Sequence, residues 1–195
     1  MKLLINGPRA FKGDKMKYSS GLRVVIVSGR PEVGKTTFEN MCGRVVGNAY
    51  CNKRSTVDRI KEIAKEGGWD GVKDAAGRKL LSDLKDIFTE YNNMPMNDIL
   101  LYLRGWEDDL AYYNVGDHPH ILFVDDREPE HIEKLKNKLN ATTLLIRRPG
   151  DEEVETSNHA DENVFNYEYD WTVNNDGDLT ELYEEAKRFV NSLFS

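Results

Sequence analysis

Two glycines, a lysine and a threonine stand at a fixed spacing near the start of the chain. Gly29 is followed by four residues and then by Gly34, Lys35 and Thr36, which satisfies the phosphate-loop (Walker A) pattern Gly-x-x-x-x-Gly-Lys-[Ser/Thr]. In such a loop, backbone N–H groups form a nest for an anion, and a helix that follows points its positive N-terminus at the same phosphate. Lys35 would contact the β and γ phosphates, and the Thr36 hydroxyl would bind Mg²⁺.

The residues on either side of the motif predict the strand and the helix that it needs. The β-branched run from Val24 to Val27 precedes it, as is typical of a buried parallel strand, and apolar residues recur at helical spacing after it. A turn that matches by coincidence is the alternative, with a chance probability on the order of 1 in 100 for such a chain. The residues assigned to ATP binding are Gly29, Arg30, Pro31, Glu32, Val33, Gly34, Lys35, Thr36 and Thr37.

Two aspartates and an arginine follow a second strongly apolar run. The stretch "ILFVDDR" places Asp125, Asp126 and Arg127 directly after four apolar residues. An acid at the end of a strand beside the phosphate loop can organise Mg²⁺ and its waters, and an arginine can hold a phosphate through two parallel bonds. We predict that Asp125 binds the metal and that Asp125 and Arg127 are catalytic. Capping of the next helix is the alternative, and for Asp126 both interpretations stay open.

Two adjacent arginines end a later predicted strand. Arg147 and Arg148 come before a Pro-Gly break in "IRRPG". Neighbouring residues of a strand point to opposite faces, so at most one of the two is expected to face a bound phosphate from the strand end. Cations supplied by a closing loop stabilise a transferring phosphoryl group. Simple solvent exposure is the alternative.

The composition limits the class of protein. The 195 residues are 39% hydrophobic and 31% charged, with a formal net charge of −7, which predicts a single globular domain. An acidic chain is not expected to bind nucleic acid or anionic membranes nonspecifically. No apolar run reaches membrane-spanning length or the length of a signal peptide's apolar region. We expect a cytoplasmic protein in which Cys42 and Cys51 are reduced core residues.

Strand-like and helical patterns alternate along the chain. This alternation predicts an α/β fold, a mainly parallel five-stranded sheet with helices on both faces, and ligands at the carboxyl ends of the strands. The predicted strands are 23–28, 49–52, 120–126, 142–148 and 171–175, and the predicted helices are 35–46, 55–66, 77–92, 96–113, 128–139 and 178–194. The long acidic and polar segment 150–170 is predicted to be a lid-like loop. The role of residues 1–20 is left open.

With these residues assembled, the chain resembles the nucleotide-kinase-like P-loop enzymes, most closely the branch of deoxynucleoside monophosphate kinases and phosphomevalonate kinases. The resemblance covers about residues 22–194. A strand in that group ends in Asp-Thr-Arg, and "VDDR" keeps Asp125 and Arg127 while departing at Asp126. An Arg-Pro-Gly after the next strand is similar to residues 148–150. The resemblance implies a three-layer P-loop fold and a catalytic Arg148.

Two further stretches are similar to parts of that family. "NNDG" resembles a family ending in which an Asn-Asp-Gly loop lies near the donor base, which implies that Asn175, Asp176 and Gly177 contact ATP. "GRKLLSDLKD" resembles the acceptor-side helix of the deoxynucleotide kinases, which implies that Arg78, with Arg127, binds the acceptor. The stretch before Arg78 has no acceptor signature, and the lid lacks the arginine-rich pattern of adenylate kinases.

These observations predict an ATP- and Mg²⁺-dependent small-molecule kinase. It would transfer the γ-phosphoryl group to a nucleoside or deoxynucleoside monophosphate, or to a similar phosphorylated metabolite. A regulatory NTPase without a small-molecule acceptor is the alternative, although "NKRS" and "NKLN" lack the aspartate of a GTP-switch base reader. A degenerate fold retained for binding partners is a third hypothesis, which the intact Gly-Lys-Thr disfavours.

Overall fold

A parallel β-sheet forms the centre of the molecule. The computed structural model describes residues 19–151 and 163–195. The sheet has five strands in the order β2-β3-β1-β4-β5, and every neighbouring pair is parallel. The strands are β1 (Leu22–Ser28), β2 (Cys51–Ser55), β3 (His120–Asp125), β4 (Thr142–Arg147) and β5 (Trp171–Asn174). Because all five run the same way, their carboxyl ends meet at one edge, where the phosphate loop begins.

The described part of the chain contains six helices, and four of them pack on the faces of the sheet. The six are α1 (Lys35–Val46), α2 (Asp58–Glu66), α3 (Ala75–Asn92), α4 (Met94–Tyr112), α5 (Pro129–Leu139) and α6 (Leu179–Phe194). Alternate residues of β1 point to opposite faces of the sheet. Val25 and Val27 lie in the apolar cluster that α1 and α6 share, whereas Val24 and Ile26 lie in the cluster of α4 and α5. The predicted three-layer α/β architecture is therefore confirmed.

Helices α2 and α3 pack against each other in a smaller apolar cluster of their own. Ile60 and Ala64 of α2 contact Leu81 of α3, and Trp69, in the connection between the helices, packs beside them. This pair stands next to the carboxyl ends of β2 and β3, so its polar residues can face the phosphate loop across a gap.

The predicted second strand was wrong in position. It was expected at 49–52, but Asn48–Tyr50 form a short 3₁₀ turn after Gly47 and the strand is Cys51–Ser55. Every residue of this edge strand is half-buried, and the four residues 52–55 are all polar or charged, so no apolar run marked it. The helix expected from Ser55 begins at Asp58, and the Asp58 carboxylate accepts a hydrogen bond from the Ser55 backbone N–H at 2.8 Å.

The first and last helices begin close to where the sequence predicts. Helix α1 spans 35–46 as predicted, and α6, predicted at 178–194, begins after Asp178, which forms a capping box with Glu181. Of the predicted lid, residues 152–162 lie outside the described part, as do residues 1–18 of the N-terminal segment.

Cys42 is buried and Cys51 is half-buried; burial raises the pKa of both thiols, to about 11 for Cys51. Among the described residues, no helix has the length and apolar character needed to span a bilayer.

Candidate active site

The phosphate loop passes between two other segments with no room for extra side chains. Gly29 and Gly34 have φ of 142° and 100°, a backbone conformation that favours glycine. A Cβ on Gly29 would overlap the backbone carbonyl of Ile146 at the end of β4, and one on Gly34 would lie 2.5 Å from Asn175 Nδ2. Glycine is therefore required at both ends of the loop by backbone angle and by space.

Lys35 closes the loop on itself. Its Nζ lies 2.7 Å from the carbonyl oxygens of both Gly29 and Arg30. Helix α1 begins at Lys35 with neither a side-chain cap nor an acidic residue in its first turn, so its positive end is suited to an anion. Thr36 and Thr37 are exposed in that first turn. The loop, the lysine and the helix end together fit an anion such as a polyphosphate.

The side chains of the loop itself face different ways. Arg30 is buried, donates a hydrogen bond from Nη1 to the carbonyl of Asp151, and stacks over Phe165 with its Cζ 5.1 Å from the ring centroid. Val33 is buried in the core, whereas Pro31 and Glu32 are exposed. Only the backbone of these residues is thus available to hold phosphate, and the Arg30 side chain ties the loop to the segment after β4.

Asp125 lies where the sequence predicted an acid. In the sheet register it pairs with Val27 of β1 and Ser55 of β2, and Val27 lies two residues before Gly29, the first glycine of the loop. Its Oδ1 is buried and has no hydrogen-bond partner among the described residues. Burial, and then the negative charge of Glu39, raises the pKa of Asp125 to about 6, while Lys35 and Arg127 act in the opposite direction.

This environment fits a divalent cation. A buried carboxylate without a hydrogen-bond partner, close to another negative charge, is unfavourable unless a cation binds to it. Mg²⁺ prefers oxygen ligands and retains several waters. Asp125 and the exposed Thr36 hydroxyl offer oxygen ligands for a metal beside the phosphate loop. The residues present therefore fit Mg²⁺ bound together with a nucleotide.

Glu39 is a buried acid that sequence reasoning missed. It lies one turn after Lys35 on α1, is 1% exposed, and pairs with Lys53 at 2.9 Å between Oε2 and Nζ. Its Oε1 has no hydrogen-bond partner in the described part of the chain. Lys53 also donates to Asn40 Oδ1 at 2.7 Å. No motif marks Glu39; its spacing of four residues from Lys35 was the one available signal.

A cavity of about 460 Å³ opens beside Lys35 and Asp125. Its walls come from the phosphate loop, the ends of β2 and β3, and helices α2 and α3. Eight basic and five acidic side chains line it, so it is locally basic in a chain of net charge −7. The basic residues are Lys35, Lys53, Arg54, Lys61, Lys73, Arg78, Lys85 and Arg127; the acidic ones are Asp58, Asp86, Asp125, Asp126 and Glu128.

Five of the predicted site residues line the cavity, together with several residues that were not predicted. The five are Pro31, Lys35, Arg78, Asp125 and Arg127. Sequence reasoning missed Arg54, whose guanidinium lies over the Tyr102 ring with its Cζ 3.8 Å from the centroid. It also missed Lys61 and Lys73 on the α2–α3 side, because no motif joins them.

Asp126 has a structural role in the turn before α5, although it does not cap that helix, whose N-cap is Glu128. Its Oδ1 accepts hydrogen bonds from the backbone N–H groups of Arg127 at 2.7 Å and Glu128 at 3.1 Å, at the entrance to α5. The same oxygen lies 3.4 Å from Lys85 Nζ of α3. Asp126 therefore shapes the turn that carries Arg127 and anchors α3 to it.

Arg148 lies in a different cavity from Asp125 and Arg127. A space of about 260 Å³ is lined by Arg147, Arg148, Pro149, Gly150, Asp151, Asn174 and Asp176, none of which lines the larger cavity. Arg148 is exposed there. Arg147 stacks over Phe165 at 4.9 Å and lies 3.8 Å from Asp151. Both arginines thus belong to the side of the loop formed by the ends of β4 and β5.

The predicted donor-base segment follows β5. Asn175 is buried and donates from Nδ2 to the Val33 carbonyl at 2.9 Å. Asp176 lines the 260 Å³ cavity and also an adjoining one of about 420 Å³, which Gly177 lines as well. A Cβ on Gly177 would overlap the Glu181 carboxylate that caps α6. Asn175 therefore supports the loop, and Gly177 leaves room for the cap.

Known proteins were compared with the chain as a whole. No protein-family model and no curated protein matches it. Among solved structures, it is similar to one from Chloroflexus aurantiacus described as a "putative kinase", at 16% identity and a TM-score of 0.47 over 89% of this chain and 98% of that one. Shikimate kinases from Bacteroides thetaiotaomicron and Aquifex aeolicus are similar at 12% and 14% identity. Both have a TM-score of 0.43 over 88% of this chain and 98% and 99% of theirs.

Proposed function

We propose that the protein is a cytoplasmic, ATP- and Mg²⁺-dependent kinase whose acceptor is a nucleoside or deoxynucleoside monophosphate. The observation that carries the proposal is the 460 Å³ cavity, because Lys35 and Asp125 of the phosphate site form one of its walls and cations of α2 and α3 form another. A volume of this size falls within the roughly 300–1,000 Å³ of small-ligand sites. A second phosphorylated ligand would therefore reach the end of a triphosphate held in the loop.

The phosphate loop would position the donor. The N–H groups at the start of α1 would bind the phosphates of ATP, and Lys35 Nζ would exchange its two backbone carbonyl partners for phosphate oxygens. Asp125 and Thr36 would hold Mg²⁺, which neutralises phosphate charge when it is bound. Asn175 would keep the loop in shape throughout, through its bond to Val33.

The remaining charged residues would stabilise the transferring group. Phosphoryl transfer demands little covalent participation by the protein, so positioning and charge account for most of the catalysis. Arg127 leaves the sheet two residues after Asp125 and lines the same cavity, which suits contact with both the moving phosphoryl group and the acceptor. Arg148 would act from the other side, beside the phosphates or the base of ATP, where it lines a cavity with Asp176.

A nucleotide acceptor is supported by charge and by the family resemblance. An excess of basic side chains in the cavity of an acidic protein favours an acceptor that is already phosphorylated over a neutral one. The "GRKLLSDLKD" helix, similar to the acceptor helix of deoxynucleotide kinases, is α3, and its Arg78 lines the cavity.

The proposal is tested by measuring ADP release from Mg·ATP with a panel of acceptors. The panel holds nucleoside and deoxynucleoside monophosphates, phosphomevalonate and dephospho-coenzyme A. We expect one monophosphate to accelerate ADP release, Lys35→Ala to abolish the acceleration, and Lys79→Ala, on the exposed surface of α3 outside the cavity, to leave it unchanged. ATP binding without acceleration by any acceptor would reject the kinase and favour a regulatory NTPase.

A further inference from the structure

We infer that Lys61 and Lys73, together with Arg78, form the seat for the acceptor's phosphate group in the 460 Å³ cavity. The three residues come from α2, from the connection between α2 and α3, and from the first turn of α3, and all three line the cavity. The inference rests on the proposed function for the identity of the ligand as an acceptor. The binding of an anion at these residues can be tested independently of it.

Lys73 lies among like charges with little to balance them. Partial burial lowers the pKa of Lys73, and the charges of Lys61, Arg127 and Arg78 lower it further; of the acids, Asp58 acts most strongly in the opposite direction. Cations that crowd together repel each other unless an anion joins them. The Lys73 ammonium makes no hydrogen bond or ion pair within residues 19–151 and 163–195.

Asp58 does not provide that missing anion. Its Oδ1 is paired with Lys61 Nζ at 2.8 Å, and its Oδ2 accepts the Ser55 backbone N–H at 2.8 Å. Asp58 therefore fixes the position of Lys61 at the start of α2, and both of its oxygens are already engaged. The cation cluster keeps an excess of positive charge on the side of the cavity formed by α2 and α3.

Hydrogen bonds fix the conformation of the backbone around Lys73. Trp69 Nε1 donates to the Val72 carbonyl at 3.0 Å, and Asp74 caps α3 by accepting from Gly77 N at 2.7 Å. A Cβ on Gly77 would overlap the Val72 carbonyl, so glycine lets the connection lie against the first turn of α3. The connection is thus held against the first turn of the helix, with the Lys73 side chain exposed.

Arg78 is coupled directly to this connection. Its Nε donates to the Lys73 carbonyl at 2.9 Å, which holds the two cationic residues next to each other. With Nε engaged by the chain, the terminal nitrogens of the guanidinium remain suited to a phosphate. A phosphate monoester carries close to two negative charges near neutral pH, and it matches three neighbouring cations better than a single carboxylate would.

The experiment compares the binding of each deoxynucleoside 5′-monophosphate with that of its nucleoside, by calorimetric titration without ATP. We expect the wild-type protein to bind one monophosphate more tightly than its nucleoside. In Lys73→Gln and Lys61→Gln, loss of a charge-assisted contact should weaken binding of the monophosphate by about 10-fold or more. The affinity for the nucleoside should stay unchanged. Lys79→Gln is the matched control, since Lys79 is exposed on α3, paired with Asp83 and outside the cavity.

Kinetics give a second readout. Lys73→Gln should raise KM for the acceptor by about 10-fold, with KM for ATP unchanged and kcat within about threefold of wild type. Thermal unfolding should match that of the Lys79→Gln protein, because the Lys73 side chain is exposed. An acceptor KM that stays at the wild-type value, or equal weakening of nucleotide and nucleoside, would overturn the inference while leaving the kinase proposal intact.

The two proposals fail in different ways. If no acceptor accelerates ADP release, but inorganic phosphate binds to the wild-type protein and not to Lys73→Gln, the kinase proposal fails and the anion seat stands. If the wild-type protein binds neither the monophosphates nor inorganic phosphate at this cavity, the seat itself is rejected.

Discussion

Asn175 Nδ2 donates a hydrogen bond to the backbone carbonyl of Val33 at 2.9 Å, joining residues 142 positions apart. The bond holds the loop after β5 against the phosphate loop, and the absence of a side chain on Gly34 lets the amide come so close. The Asn175 backbone N–H also donates to Arg147 O at 2.7 Å. One buried residue thus fixes the relative positions of the phosphate loop and the ends of β4 and β5.

Removal of the Asn175 amide should loosen the phosphate loop. In Asn175→Ala the buried Val33 carbonyl loses its partner, at a cost of about 1–3 kcal/mol. We expect the affinity for a non-hydrolysable ATP analogue to fall by about 10-fold, with acceptor binding unchanged, as measured by calorimetry. Asn137→Ala, on the exposed surface of α5, is the control. Unaltered affinity in Asn175→Ala would mean that the loop keeps its shape without this bond.

The effect of the close contact at Gly34 can be separated from the effect of its backbone angle. Gly34 and Gly68 have φ of 100° and 98°, but a Cβ on Gly34 would lie 2.5 Å from Asn175 Nδ2 whereas one on Gly68 would have nothing within 4 Å. Gly34→Ala should therefore lose nucleotide binding and more stability than Gly68→Ala, which carries only the backbone strain of about 1–3 kcal/mol. Thermal unfolding and binding of the ATP analogue measure both. Equal losses of stability would show that the contact with Asn175 costs nothing.

Asp125 should make the metal-free protein less stable at high pH. Its pKa in the folded protein is about 6, above the ordinary 3.8, so the folded state binds the proton more tightly than the unfolded state does. The free energy of unfolding should then fall as pH rises from about 4 to about 6. Asp125→Asn removes the buried charge, so it should exceed wild type in stability by about 1–3 kcal/mol at pH 8 and match it near pH 4.

Urea unfolding of both proteins without Mg²⁺, at each pH, provides the measurement. Asp83→Asn, an exposed substitution on α3, should not change the pH dependence. The same Asp125→Asn protein should lose phosphoryl transfer, since it lacks the metal-binding carboxylate. A variant that is less stable than wild type at pH 8 would contradict this account of the buried carboxylate.

The negative charge of Glu39 should raise the pKa of Asp125. Glu39→Gln removes the negative charge that, after burial, does most to raise the Asp125 pKa, so that pKa should fall. Lys53 would lose the partner that holds it 2.9 Å away. Carbon-13 NMR of labelled aspartate carboxyls, followed through a pH titration, measures the shift. Glu62→Gln, an exposed acid of α2, is the control, and an unmoved Asp125 titration in Glu39→Gln would refute the coupling.

The sequence predicted best where a local rule determines the structure. Helix α1 has its predicted bounds because the phosphate-loop motif sets its start, and α6 starts within one residue of its predicted bound because Asp178 caps it. Lys35 and Asp125 came together because the ends of parallel strands meet at one edge. Strand β2 was misplaced because it lies at the edge of the sheet, where half-buried polar residues give no apolar pattern.

The acceptor side of the cavity could not be predicted in the same way. Arg54, Lys61 and Lys73 belong to three different segments, and the packing of α2 against α3 brings them together. Each appeared in the sequence as an ordinary surface charge. Glu39 was missed for the opposite reason, since burial turns a helix glutamate into a charge that acts on Asp125.

The central claim is tested most directly by following the phosphate itself. ATP radiolabelled in its γ-phosphate is incubated with Mg²⁺, the protein and the monophosphate that most accelerates ADP release, and the products are separated. The account predicts that the label appears in the corresponding diphosphate, and that Lys35→Ala reduces this transfer by about 100-fold or more. Label recovered only as inorganic phosphate, at the same rate with and without the acceptor, would contradict it.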